Sequence, residues 1–419
     1  MLVMKFGGAS VKNAEAIRNV TKIMVHYQEE PTLIVISAAD KTTNHLEELA
    51  NLAKLGKETA AMEQYARIKR FHHNLISALF SHHAEEIKHK LDHFFSEIQR
   101  IVQGILLLEE FPARTYDRIV SFGELLSTTV ISEYLKWKGH DCLWVDAREI
   151  IKTDSNYAQA NVIWSMTTVN IEEKILPQLK PERIVITQGF ISSNISGKTT
   201  TLGREGSDFT ASIFAHCLEA KRLLVWKDVP GILNADPRMR EKTKKIDNLS
   251  YEEAVEMTFY GASVIHPKTI KPLFAKQIPL HVKCFKDISL PGTRISKHTN
   301  EEIITSYIIK KNQVFLRIKP RDFSFMDEQL MEVVFNHIYK AGVKVSLVQN
   351  SAISLLLCLD NRPDRIKAFE SLLLDKFSVE TQTDLKLYTI INFKVKDLKQ
   401  AKEARMVQQH ENKLYMVRE

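Results

Sequence analysis

The chain has 419 residues, 44% hydrophobic and 26% charged, with a formal net charge of +7. That length exceeds one ordinary core and points to two or three domains. The mild positive excess comes without basic runs interleaved with aromatics, which argues against a nucleic-acid partner and suits anionic small molecules, and no run of about 18 apolar residues is present to cross a membrane.

The opening "MLVMKFGG" lacks an apolar stretch followed by a cleavage site, so no signal peptide is expected. Leu2 to Phe6 reads as a strand broken by Gly7 and Gly8. Ala14, Ile17, Val20, Met24 and Tyr27 then mark one helix face, Pro31 stops that helix, and "TLIVIS" reads as a buried strand. Strand–helix–strand of this length is a βαβ unit and implies a parallel sheet.

Residues from about 55 to 115 carry helical periodicity with few Gly or Pro and read as a helical insertion. Its histidines include His89 and His93, four apart on one helix face. They have no acidic or cysteine partner at ligand spacing, so a polar surface is the plainer reading and no metal site is assigned. Cys142, Cys217, Cys284 and Cys358 are far apart and form no CxxC pair. Reduced thiols in a cytoplasmic enzyme are expected.

A short apolar strand is expected over Arg118 to Phe122, just ahead of Glu124. The α/β rhythm then resumes with "RIVITQGFI" as a strand, "DFTASIFAHCLEA" as a helix and "KRLLVWKDV" as a strand. "SYEE" has the spacing of a capping box, a helix spans roughly Pro267 to Lys276, "IPLHVKCF" returns as a strand, and "LPGTRIS" reads as a turn. Residues 1–297 are read as one α/β domain with a parallel-type central sheet sandwiched by helices.

The remainder reads as a ferredoxin-like unit over 312–382: strand "QVFLRIKP", helix "EQLMEVVFNHIYKAG", two strands in "VKVSLVQNSAISLLLCLD" and helix "RIKAFESLLLDKF". A shorter second unit combines 303–310 with 384–419.

"GKTTTLGREGSD", from Gly197 to Asp208, ends like a phosphate-binding Walker loop, but Ser192 stands where its first glycine belongs. "FGGASVK" lacks the third glycine of a dinucleotide fingerprint. What remains is a cluster of strand-to-helix junctions. Lys5 with Gly7 and Gly8 suits a phosphate, Arg204 suits a carboxylate gripped by two parallel hydrogen bonds, and Glu124 suits an ammonium group. Together these are the parts needed to phosphorylate an amino acid.

"KFGGAS", "ISAADKTTN", "DRIVSFGELLST", "TQGFISS", "TTTLGREGSD", "VWKDVPGILNADPR", "YEEAVEMTFYGASVIHPKTIKP" and "PGTRIS" occur in this order across the α/β domain. In that order they resemble the aspartate kinases of the amino-acid kinase superfamily, and the C-terminal units resemble the paired ACT domains of that family. The resemblance implies MgATP-dependent phosphorylation of the L-aspartate side-chain carboxylate to 4-phospho-L-aspartate, the first step of lysine, threonine and methionine biosynthesis. It implies that Lys5 contacts the transferring phosphoryl group and that Ser37, Thr43, Glu124, Phe190 and Arg204 bind aspartate. Asp208 would organise the lysines. Ser207, Lys227, Asp228, Ile232, Leu233, Asp236 and Arg238 would hold ATP with Gly7 and Gly8. A lysine or threonine effector would lie near Ser324, Ser346, Gln349 and Asn350, and a homodimer or higher oligomer would form through the ACT domains.

Three positions depart from the family pattern: Ala9 in place of Thr, Glu205 in place of Gly, and Ser263 in place of a second lysine. Lys227 is the candidate to supply that missing charge, against the plain alternative of a solvated strand-end lysine. Two other readings share the fold: another kinase of the superfamily, and a non-catalytic amino-acid sensor.

Overall fold

The computed structural model describes residues 1–262, 265–297 and 304–419. It forms two compact units. The first comprises Met1–Ile232, Asp247–Tyr251 and the described residues of Ile265–Thr299. The second comprises Leu233–Ile246 and the described residues of Glu252–Val264 and Asn300–Glu419.

The first unit is built on an eight-stranded sheet. Its spatial order is Cys142–Val145, Ile184–Gln188, Thr32–Ile36, Leu2–Phe6, Arg222–Lys227, Leu280–Cys284, Thr293–Ser296 and Asn248–Ser250. The first six strands are parallel, and Thr293–Ser296 turns back against Leu280–Cys284. Leu2–Phe6, Thr32–Ile36 and Ile184–Gln188 are buried at every position, the mark of strands covered on both faces. Such strands read as continuous apolar runs, and Lys5 interrupts one of them.

Register aligns the carboxyl ends of the central strands. Phe6 lies opposite Ile36 and Trp226, Ile36 lies opposite Gln188, and Lys227 lies opposite Cys284. The chain fills the sheet to one side of Leu2–Phe6 first and to the other side later. Leu2–Phe6 and Arg222–Lys227 therefore flank a reversal of strand order, where open α/β sheets leave a crevice.

After helix Thr42–Lys54, the stretch from about 55 to 115 contains helices Glu58–Leu79 and Ala84–Leu108. The strand expected at Arg118 to Phe122 does not form. Ala113–Val120 is a helix, and Phe122–Trp137 continues as another. A five-residue stretch with three apolar residues fits either a strand or a buried helix turn, and here Ile119, Val120 and Phe122 pack into the core. The turn expected in "LPGTRIS" ends in strand Thr293–Ser296. A small sheet of Lys152–Thr153, Ile191–Asn194 and Thr199–Thr201 shapes the stretch leading to Asp208.

The second unit carries a six-stranded sheet with helices Glu328–Ala341 and Pro363–Leu373. Strand Ser306–Pro320 alternates faces. Val314, Leu316 and Ile318 meet Val334, Ile338 and Phe369 from the helices, while Phe315 packs with Leu385, Leu387 and Tyr415 on the other side. Ser306–Pro320 and Phe377–Ile391 are single 15-residue strands pairing along most of their length, with irregularities around Gln313. Ile303 lies outside the described residues.

Candidate active site

Each site segment follows a parallel strand or opens a helix over the aligned strand ends. Lys5 is the penultimate residue of Leu2–Phe6, and its side chain is 11% exposed. A buried ammonium is costly unless paired. Its partner is Asp208, in the first turn of helix Gly206–Cys217, with Lys5 Nζ 2.6 Å from Asp208 Oδ1. Lys227, the last residue of Arg222–Lys227, places its Nζ 3.6 Å from Asp208 Oδ2. Burial pushes the Asp208 carboxyl up, but the Lys5 and Lys227 charges outweigh burial and hold it below its ordinary value. Two ammonium groups around one carboxylate leave a net positive cluster, set at a helix N-terminus.

Close backbone approach builds this corner. A Cβ on Gly189, just past Ile184–Gln188, would lie 2.5 Å from Ser207 Cβ, so only glycine lets that strand end touch the start of helix Gly206–Cys217. Phe190 follows with φ +68°. Its N–H donates to Thr210 Oγ1 at 2.9 Å and its carbonyl accepts from Leu202 N at 2.9 Å. Both backbone polar groups of Phe190 are thus bonded within the protein, and its ring is half-buried.

Glu124 sits in the first turn of helix Phe122–Trp137 and is 3% exposed. Its Oε1 accepts from Ala38 N at 3.2 Å, and its Oε2 is buried without a partner among the described residues. Burial raises the carboxyl to about 8, against the Ala38 amide, its own backbone amide and the Lys5 charge. A Cβ on Gly123 would stand 2.8 Å from Ala38 Cβ and 3.3 Å from Thr43 Oγ1, so the helix start presses on the segment after Thr32–Ile36. Ser127 Oγ donates to the Ser37 carbonyl at 2.8 Å and anchors that segment. Ser37, Thr43 and Glu124 thus share one neighbourhood, and Lys5 is close enough for its charge to act on Glu124.

Arg204 lies in the turn before helix Gly206–Cys217. It is exposed and makes no hydrogen bond or ion pair among the described residues. Glu205 takes a left-handed conformation, φ +58°, as the residue before the helix. Ala9 is exposed in the turn Gly8–Val11, and Ser263 lies outside the described residues.

Of the expected nucleotide residues, Gly7, Gly8, Ser207 and Lys227 belong to this corner, with a Cβ on Gly7 3.4 Å from Lys5 Nζ. Asp228 is exposed. Ile232 is buried and donates its N–H to Thr293 Oγ1 at 2.7 Å. Leu233, Asp236 and Arg238 belong to the second unit, where Leu233 bridges to Lys245 and Arg238 clasps both oxygens of Asp236. Of the expected effector residues, Ser346, Gln349 and Asn350 lie on strand Val345–Ser351, and Met326 N, two residues after Ser324, donates to the Ala352 carbonyl at 2.9 Å. Ser324 is tied to Asp322, Ser346 Oγ accepts from Lys310 Nζ at 2.8 Å beside Asp360, Gln349 Oε1 is buried without a partner among the described residues, and Asn350 is exposed. His93 bonds the Lys90 carbonyl, and His89 is exposed beside Asp92.

The sequence profile of the amino acid kinase family matches residues 1–284. The chain belongs to that family. Among amino acid kinases it is similar to the lysine-sensitive aspartokinase 3 of Escherichia coli, with 33% identity over 373 residues, covering 86% of this chain and 78% of the relative. It is 32% identical to the chloroplastic aspartokinase 1 of Arabidopsis thaliana, spanning 63% of that protein's length. Two E. coli aspartokinase III structures, each 28% identical, cover all of this chain and 96% of their own. The one with aspartate and ADP superposes with TM-score 0.87, and the one with lysine and aspartate with 0.81. The fold is accordingly that of an amino-acid kinase followed by ferredoxin-like ACT units. Among the described residues no helix is long and apolar enough to cross a membrane.

Buried Asp117 escaped sequence reasoning. It accepts hydrogen bonds from Ala158 and Thr201. A lone aspartate in an amphipathic helix gives no signal apart from a solvated face.

Proposed function

We propose that this chain is an aspartate kinase that transfers the γ-phosphoryl group of MgATP to the side-chain carboxylate of L-aspartate. The reading is carried by the cationic Lys5–Asp208–Lys227 cluster lying beside a buried, half-satisfied Glu124 at the carboxyl ends of parallel strands. Glu124 would receive the substrate ammonium, Arg204 the α-carboxylate, and Ser37, Thr43 and the Phe190 ring would border the substrate. Lys5 and Lys227 would face the phosphates together with Gly7, Gly8 and Ser207. Asp228 and Ile232 of the same unit would complete nucleotide binding there.

The attacking carboxylate, with an ordinary pKa of about 3.9, is already ionised at neutral pH, so no general base is required. The chain's task is to bring two anions together and to stabilise charge growing on the transferring group. Asp208 holds the two lysine side chains in place between its carboxylate oxygens. Among the described residues no cluster of three or more His, Cys, Asp or Glu is placed to hold a metal. Mg²⁺ would accompany the triphosphate, where it neutralises phosphate charge.

The product, 4-phospho-L-aspartate, is a mixed anhydride that opens lysine, threonine and methionine biosynthesis. Residues 1–297 would form the catalytic domain, and 312–382 with 303–310 plus 384–419 two ACT units that pair copies of the chain and receive lysine or threonine. Cytoplasmic placement accords with the four free cysteines.

Hydroxylamine traps acyl phosphates. With ATP, Mg²⁺ and L-aspartate, aspartyl hydroxamate should accumulate. Product from glutamate, N-acetylglutamate or a nucleoside monophosphate instead would move the chain to another branch of the superfamily, and no product from any of them would make it a sensor.

A further inference from the structure

We infer that Asp117 is a positioning residue that fixes the span between the substrate's two grips, Glu124 and Arg204. This rests on the roles proposed above for those two side chains.

Asp117 lies in helix Ala113–Val120 with no solvent exposure. Its carboxylate ties down two other segments. The Ala158 N–H reaches both oxygens at 3.0 Å, the Thr201 N–H reaches Oδ2 at 3.0 Å, and Thr201 Oγ1 donates to Oδ1 at 2.6 Å. No cation pairs with it among the described residues. Burial pushes its carboxyl up, and these neutral donors only partly offset that. A carboxylate held this way is expensive, and an apolar side chain would serve simple packing better.

The geometry explains what the carboxylate holds. Thr201 ends strand Thr199–Thr201, and Arg204 follows three residues later. The same stretch is pinned by Ala160 N to the Thr201 carbonyl and by Leu202 N to the Phe190 carbonyl, both at 2.9 Å. On the other side, helix Ala113–Val120 passes through Ser121, whose N–H donates to the Asp117 carbonyl at 3.2 Å, straight into the helix that begins with Phe122 and carries Glu124. One side chain therefore joins the segment presenting the carboxylate grip to the corner presenting the amine acceptor. The distance between a substrate's ammonium and α-carboxylate is fixed, so the two grips must match it together.

The test is steady-state kinetics. Asp117→Asn keeps one acceptor oxygen but turns an amide donor onto the N–H groups of Ala158 or Thr201. It should raise KM for aspartate about tenfold and leave KM for ATP and kcat within about twofold. Thr201→Val removes only the hydroxyl donor and should raise the same KM less, which preserves the test if Asp117→Asn does not fold. In an Arg204→Ala background, Asp117→Asn should add little, because without Arg204 no span between two grips is left to set. A full additional increase there, or a parallel fall of kcat and of affinity for both substrates, would overturn the inference. Arg204→Ala alone tests the underlying reading. An unchanged aspartate KM in that variant removes Arg204 from the site, whereas a raised KM there with a wild-type KM in both Asp117→Asn and Thr201→Val removes only the positioning role.

Discussion

Lys5 Nζ lies 2.6 Å from one oxygen of Asp208, and Lys227 Nζ lies 3.6 Å from the other. Lys5, one residue before the end of its strand, and Lys227, at the end of the adjacent parallel strand, lie one on each side of the point where strand order reverses. A single buried carboxylate thereby keeps side by side two cations that would otherwise repel.

Lys227→Met should lower kcat roughly a hundredfold while changing KM for aspartate little, the pattern for losing an interaction made with the transition state. Initial-rate kinetics over both substrates reads this. A variant that turns over normally would return Lys227 to the role of a strand-end lysine.

Glu124 predicts a pH dependence with a definite sign. Burial raises its carboxyl to about 8 in the free protein, so the native state holds a proton that the unfolded chain, at the ordinary value of 4.5, gives up. Its contribution to stability is therefore present below the unfolded value and is lost as pH rises toward 8. An arriving ammonium favours the ionised form, so aspartate binding should release a proton, and affinity should strengthen up to about tenfold per pH unit across that window. Calorimetry at pH 7 in buffers of different ionisation enthalpy measures the release. Glu124→Gln should abolish it and weaken aspartate binding.

Two glycines predict opposite outcomes for one change. Gly189→Ala would drive a Cβ to 2.5 Å from Ser207 Cβ and should destabilise the first unit by about 1–3 kcal/mol. Gly104, inside helix Ala84–Leu108, has open space where an alanine methyl would sit, so Gly104→Ala should stabilise by up to about 1 kcal/mol. Thermal melts of the two variants should move in opposite directions.

Glu205 holds a left-handed backbone at φ +58°, which costs a side-chain-bearing residue roughly 1–2 kcal/mol. Glu205→Gly relieves that cost and removes a negative charge beside the phosphate end, offset in part by the entropy glycine adds to the unfolded chain. The melting temperature should rise and KM for ATP should fall. Glu205→Ala keeps the strain and should not raise the melting temperature.

The parts of the fold that were legible in sequence are those where local pattern and burial agree. The runs at Leu2–Phe6 and Thr32–Ile36 and the periodicity of Ala14–His26 became the elements expected of them. Arg118 to Phe122 misled because Ile119, Val120 and Phe122 are too few to show a period, and their state was decided by packing against helices from elsewhere in the chain. At the site, Lys5 stood out as a charge inside an apolar strand. Glu124's chemistry depends on burial that no local pattern reports. Phe190's backbone is consumed by Thr210 and Leu202, partners 20 and 12 residues away, and Asp117 meets Thr201 across 84 residues. Contacts over such separations are set by tertiary packing and leave no spacing to read.

The central claim is that the aspartate side-chain carboxylate attacks the terminal phosphorus of ATP, and isotope transfer tests it most directly. L-aspartate labelled with oxygen-18 in its carboxylates is incubated with the protein, MgATP and hydroxylamine, and the released phosphate is analysed by mass spectrometry. Hydroxylamine attacks the acyl carbon, so the bridging oxygen leaves with phosphorus. The account predicts one oxygen-18 in each phosphate, in step with ADP formed. Unlabelled phosphate accompanying ADP would mean that water is the nucleophile and would contradict it.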